Sequence, residues 1–211
     1  MTVPFSGESS RIGCPAKLIL IRHATTDMTG TFCGQSDPSL NMAGRAEARK
    51  LAALLKDFNV RRLYASDLRR AVETAEPLAE LWGIPIGTRA ALREISFGEW
   101  EGKRWSQICA DQPDIRAMES SPDLCAPAGE TFSSFRRRVL RALREIIMEC
   151  NGYSAAVVTH LGVLRVLLKE LSTADCPWDP QQRIDPCAFY EVQAPYGTIT
   201  SAVPRIGSAG M

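Results

Sequence analysis

Only two histidines occur in this 211-residue chain, and each follows a short apolar run. Arg22 and His23 come directly after Leu-Ile-Leu-Ile, and His160 directly after Ala-Ala-Val-Val-Thr. Apolar runs this short, without alternation, suit strands buried on both faces of a parallel sheet. Open α/β sheets take their ligands at the carboxyl ends of such strands. A third junction of the same kind offers Ser66 and then Arg69 and Arg70, one turn into the next helical pattern. If these strands are parallel neighbours, arginines, histidines and helix N-termini converge at one end of the sheet. That is an anion site, and phosphate is its natural guest.

Such a pocket permits nucleophilic chemistry. A neutral imidazole attacks phosphorus to form a phosphohistidine, while cationic groups hold the equatorial oxygens. The leaving oxygen still needs a proton donor. Glu94, in Leu-Arg-Glu-Ile-Ser-Phe-Gly, is the best candidate, because it follows a strand-like run and precedes a glycine-bearing irregular stretch. Taken alone, an Arg-His pair is also consistent with an accident of a strand end, so the surrounding elements have to decide.

Those elements read as one domain over residues 1–211. Hydrophobic residues make up 45% and charged residues 23%, ordinary for a globular chain of this length. The segment 1–15 reads as a loose arm. A strand over 17–21 is followed by a polar loop to Leu40, and Asn41 is placed to cap a helix. A second strand over 62–65 ends at Ser66, expected to be the N-cap of a helix reaching Trp82 that Pro77 kinks or interrupts. A further strand falls within 85–92. Residues 96–129 have little periodicity and read as a lid or cap insertion. A long helix then begins near Glu130, with Arg136 to Arg138 expected on its solvated face. The strand at 155–159 precedes a helix opened by Gly162. A proline-rich loop covers 177–186, two edge strands fall at 189–192 and 198–203 around Tyr196-Gly197, and 204–211 is a flexible tail. Strands alternating with helices give an α/β fold, a three-layer αβα arrangement with a mostly parallel central sheet and a small lid.

Composition narrows the function classes. The net charge of +1 provides no general attraction to nucleic acid or to an acidic membrane. No apolar run approaches the ~20 residues of a membrane span, and the first residues lack a signal-peptide pattern. The seven cysteines are odd in number and contain no Cys-x-x-Cys, which reads as reduced cytoplasmic thiols. Two histidines with no carboxylate at helical spacing make a poor zinc or iron site, so neither a metal nor a cofactor is expected.

The motifs then acquire a family context. Arg22-His23, the stretch from Ser66 to Ala75, Leu92-Arg93-Glu94 with Gly98 and Trp100-Glu101-Gly102, Gly129-Glu130, and Val157-Val158-Thr159-His160 occur in the order of the histidine phosphatase superfamily, the phosphoglycerate mutase-like group. The resemblance runs over most of the chain, roughly residues 17–171. It implies His23 as the phosphorylated nucleophile, Arg22 and Arg70 as phosphate clamps, His160 as the second histidine, and Glu94 as the general acid. Arg69, beside the matching arginine, reads as surface. Where the family usually has Arg-His-Gly-Glu-Thr, this chain has Arg-His-Ala-Thr-Thr. Thr29 stands where Asn is frequent and Leu161 where Gly is frequent, the latter expected to narrow the pocket. Thr29, Gln35 and Leu161 are the candidate substrate contacts. Trp100 and Trp105 read equally as pocket lining or lid packing. Glu130 reads equally as touching the site or capping a turn.

The loop from Thr31 to Leu40, with Cys33-Gly34-Gln35-Ser36-Asp37 at its centre, resembles that of α-ribazole phosphatases of cobalamin biosynthesis. Broad-specificity members of the family share much of it, and the implied activity is a metal-independent phosphomonoesterase acting on α-ribazole 5′-phosphate or, with broad specificity, on similar small phosphoesters. No nucleic acid or membrane partner is expected, and a homodimer stays open. The competing expectations are a phosphoglycerate mutase, a non-catalytic phosphate-binding protein and a metal-dependent phosphatase.

Overall fold

The computed structural model describes residues 17–111, 125–172, 182–193 and 198–203. The N-terminal arm, the C-terminal tail, the middle of the lid, much of the proline-rich loop and the Tyr196-Gly197 turn lie outside the described residues.

Six strands form one sheet: β1 (Lys17–Arg22), β2 (Arg62–Ser66), β3 (Ile86–Arg89), β4 (Ala155–Thr159), β5 (Phe189–Gln193) and β6 (Thr198–Val203). Their order is β3-β2-β4-β1-β5-β6. The first four strands are mutually parallel, and β5 and β6 join antiparallel. The expected pair of edge strands is thereby corrected. Strand β5 is sandwiched between β1 and β6, so among the described residues β6 and β3 form the edges. β3 is also shorter than the sequence pattern suggests, because residues 90–92 wind into a 3₁₀ turn.

The apolar runs supply both faces of the sheet. Leu18, Leu20, Ala155 and Val157 pack on one side with helices α4 (Phe132–Cys150) and α5 (Leu161–Leu171). Ile19, Ile21, Ala156 and Val158 pack on the other with α1 (Met42–Leu54) and α2 (Arg69–Trp82). The three-layer αβα expectation is met. Each buried leucine or isoleucine of β1 contributes about 1.5–3 kcal/mol of transfer free energy, which explains why a run this apolar occupies the sheet's interior. A separate small cluster of Phe32, Trp100, Ile108 and Ala126 holds the described part of segment 96–129, including α3 (Trp105–Asp111), against the loop after β1.

Asn41 caps α1 as expected, its Oδ1 accepting the Gly44 N–H at 2.8 Å. The Ser66 cap is corrected. Ser66 is the last residue of β2, and Leu68 holds the cap position without a side-chain acceptor. The acceptor comes from another loop: Asp37 takes the Arg69 N–H at 2.6 Å. Asp67, the nearer carboxylate, is engaged by Arg93 at 2.7 and 2.6 Å. Helix α2 is not interrupted at Pro77; its stripe of Ala71, Ala75 and Leu78 is fully buried, and that packing opposes the proline penalty of about 3 kcal/mol. No helix of the described residues is long and apolar enough to cross a membrane.

Candidate active site

The pairing of β1 with β4 sets Arg22 opposite Thr159, and the His23 N–H donates to the Thr159 carbonyl at 2.8 Å. The two histidines therefore leave neighbouring parallel strands at the same level. Their ring centroids lie 5.1 Å apart at 57°. β2 lies on the far side of β4 and delivers Arg70 from the first turn of α2. Glu94 arrives beyond the 3₁₀ turn after β3, and Leu92 ties that segment to β4 by accepting the Thr159 hydroxyl at 2.8 Å.

Hydrogen bonds assign the two imidazole tautomers. His23 Nδ1 lies 2.7 Å from the Ala24 carbonyl. A carbonyl only accepts, so Nδ1 carries the proton and Nε2 keeps its lone pair. Arg70 Nε–H donates to His160 Nδ1 at 3.2 Å, which leaves the His160 proton on Nε2. That Nε2 is buried and has no partner among the described residues. Buried donors are paired in most folds, so an orphan aimed into a cluster of cations calls for an acceptor oxygen. Burial, then the charges of Arg70 and Arg22, push the His23 pKa down to about 3 against the opposing Ala24 hydrogen bond. Burial and Arg70 also hold His160 well below the usual imidazole value. Both rings are neutral at ordinary pH, as a nucleophile and a neutral donor require.

Arg70 is fully buried. Its Nη1 donates to the Ser36 carbonyl at 2.6 Å and its Nη2 to the Gly34 carbonyl at 2.7 Å. That loop is held on its other side by one carboxylate. Glu101 accepts the N–H groups of Gly34, Gln35, Ser36 and Phe97 at 2.9–3.1 Å and the Ser36 hydroxyl at 2.5 Å. Burial alone raises the Glu101 pKa, but these donors outweigh it and hold the group below the usual carboxylate range. Gly34 is required here, because a Cβ would run into the Ile95 carbonyl and Glu101 Oε1. Thr74, fully buried on α2, accepts the Ala24 N–H at 3.0 Å and donates to the Arg70 carbonyl at 2.6 Å, joining the two turns.

Arg22 donates through Nη1 to the Ile184 carbonyl at 2.6 Å, and its Nε is buried without a partner among the described residues. Burial lowers its pKa, opposed by the charges of Glu94 and Asp185. Glu94 is 7% exposed. Its two oxygens accept the N–H groups of Ile95 and Gly162, each at 2.9 Å. The arrangement therefore unites a nitrogen lone pair, a buried N–H donor, two guanidinium groups and a carboxyl, which suits a tetrahedral anion attacked in line.

The remaining candidates have their own surroundings. Thr29 is exposed and its hydroxyl closes a turn onto the Thr26 carbonyl at 3.2 Å. Gln35 is exposed on the loop that grips Arg70. Leu161 packs against the α4–α5 core. Trp100 is buried in the lid cluster, whereas Trp105 is 45% exposed and stacks on Phe32 at 4.8 Å. Arg69 is exposed, as expected, and lies 3.7 Å from Glu73. Arg138 departs from the expected solvated face: it falls one turn from Phe135 and Ala142 on the buried side of α4 and forms an ion pair with Glu130 at 2.8 Å. Glu130 is thus a partner of Arg138 rather than a turn cap. Of the organising residues, Glu101 and Thr74 have no role in the sequence reading. A threonine within the apolar stripe of α2 is a signal for the latter.

The family profile described as histidine phosphatase superfamily (branch 1) matches residues 18–202. Glucosyl-3-phosphoglycerate phosphatase of Mycobacterium tuberculosis is 35% identical over 175 residues, 76% of this chain and 78% of that protein. A bifunctional protein of the same species is 29% identical over 161 residues, 74% of this chain, but this chain spans only 44% of its length. The solved α-ribazole phosphatase of Shigella flexneri superposes with a TM-score of 0.71 at 25% identity, covering 84% of this chain and 90% of that one.

Proposed function

The chain belongs to branch 1 of the histidine phosphatase superfamily, and from that premise we propose that it is a metal-independent phosphomonoesterase working through a phosphohistidine on His23. The observation that carries this is the pair of complementary tautomers. His23 presents a free Nε2 lone pair, and His160 presents a buried Nε2–H beside it.

His23 Nε2 attacks phosphorus in line, forming the N–P bond as the P–O bond to the alcohol breaks. Arg22, Arg70 and His160 hold the phosphoryl oxygens. Glu94 protonates the departing oxygen, then takes a proton from the water that hydrolyses the phosphoenzyme, releasing phosphate. The positive charge that stabilises the transferring group comes from guanidinium groups, so the chemistry needs no metal.

The substrate is a small phosphate monoester met in the cytoplasm. The Cys33–Asp37 loop favours α-ribazole 5′-phosphate, with Thr29, Gln35 and Leu161 as the contacts that tune choice. Glucosyl-3-phosphoglycerate, the substrate in a relative's name, is the alternative. The test is kcat/KM across a panel holding both compounds, phosphoserine, and 3-phosphoglycerate with its bisphosphate primer. Phosphate release with a clear preference for one monoester supports the assignment. Rapid isomerisation of 3-phosphoglycerate with little free phosphate overturns it in favour of a mutase.

A further inference from the structure

Arg138 differs from the two arginines before it. Arg136 and Arg137 are exposed, whereas the Arg138 side chain is 23% exposed. All five of its N–H groups have acceptors. Nε and Nη2 fork onto the two oxygens of Glu130 at 2.8 Å each. Nη1 donates to the carbonyls of Ala91 and Arg93 at 3.0 and 2.7 Å, and Nη2 to that of Glu94 at 2.8 Å. The guanidinium lies 4.9 Å from the centre of the Phe135 ring. Glu130 grips the same stretch through its backbone, its N–H donating to the Ser96 carbonyl at 2.9 Å. The segment carrying Glu94 is thus held from behind by one bidentate ion pair, while Gly162 holds the carboxyl from the front. A lysine carries the charge but lacks the planar fork, so it cannot satisfy this set of acceptors.

We propose that Arg138, itself fixed by Glu130, is a positioning residue for the general acid. It places the Glu94 carboxyl through the backbone of residues 91–94 and touches no substrate. The proposal rests on Glu94 acting as the acid, as in the function proposed above. Misplacing an acid matters in proportion to how much the leaving oxygen needs a proton. An alkyl phosphate expels a basic alkoxide. p-Nitrophenyl phosphate expels a stable phenolate that leaves without one. A residue acting through Glu94 separates these substrates, whereas one that merely supports the fold lowers both together.

The experiment compares kcat/KM, which reports the steps through loss of the alcohol, for wild type, Arg138→Lys, Glu130→Gln, Glu94→Gln and the Arg138→Lys/Glu94→Gln double variant. The substrates are β-glycerol phosphate and p-nitrophenyl phosphate. Arg138→Lys is expected to lose about tenfold more on the alkyl ester than on the aryl ester, and to add no further loss in the Glu94→Gln background. Equal losses on both esters, or losses that multiply in the double variant, overturn the proposal. If Glu94→Gln itself fails to separate the two esters, Glu94 is not the acid, and the proposal falls with that assignment. If Glu94→Gln separates them and Arg138→Lys does not, the positioning role alone falls. Glu130→Gln keeps the arginine and its carbonyl contacts, so it carries the same comparison should Arg138→Lys fold poorly.

Discussion

Arg70 donates its Nε–H to Nδ1 of His160 across 3.2 Å, and this bond joins the proposed phosphate clamp to the second histidine. It forces the His160 proton onto Nε2, where it meets no acceptor among the described residues. Three of the guanidinium's other four N–H donors go to the carbonyls of residues 33, 34 and 36, and one Nη1 hydrogen remains for an anion. Its position is therefore set by a loop, and the loop is set by Glu101.

Glu101→Gln tests that dependence. The amide retains one acceptor oxygen for five donors, so the part-buried N–H groups of Gly34 and Ser36 lose their partner at about 1–3 kcal/mol. The expected result is a lower urea midpoint, about a tenfold fall in kcat/KM, and weaker competitive inhibition by inorganic phosphate. The sign with pH follows from the lowered Glu101 pKa. Wild type keeps its advantage above the usual carboxylate range and loses it as pH falls through the folded value, so the two proteins converge in acid.

His23 makes an opposite test available. Its pKa falls from 6.5 unfolded to about 3 folded. Between those values the unfolded chain holds a proton that the folded chain does not, so wild-type stability declines as pH drops through this window. The slope is at most about 1.4 kcal/mol per pH unit for the one group. His23→Asn lacks the titration, so its stability relative to wild type should improve steadily from pH 6.5 to 4 in urea unfolding. A difference that stays constant across that range contradicts the depressed pKa.

Gly162→Ala probes the carboxyl from its front. A Cβ at 162 collides with Glu94 Oε1. Alanine is the better helix former by about 1 kcal/mol, which opposes any loss of stability. The expected outcome is a protein of near wild-type urea midpoint whose kcat/KM on alkyl phosphates falls about tenfold or more. Wild-type kinetics in this variant contradict the placement of Glu94.

How much of this was legible in sequence depends on the range of the interaction. Residues 18–21 and 155–159 announced buried strands, because burial on both faces leaves an uninterrupted apolar run. Arg22, His23 and His160 followed as the residues that end those runs. The αβα layering came from the same periodicity. What stayed hidden depends on partners distant in the chain. Ser66 looked like a cap because it precedes a helix, but the acceptor is Asp37, 32 residues from Arg69. Arg138 looked like one of a solvated run, but its carbonyl partners lie 44 to 47 residues away. Glu101 reaches back 65 to 67 residues to organise the loop at Gly34. Spacing along a helix carries no information about such contacts.

The central claim is that His23 Nε2 takes the phosphoryl group. It is tested most directly by quenching turnover with base and locating the modification by peptide mass spectrometry. A phosphoryl group on His23, stable in alkali, labile in acid, and absent from His23→Ala together with phosphate release, is the predicted result. Undiminished phosphate release by His23→Ala, or a phosphoryl group carried on another residue, contradicts it.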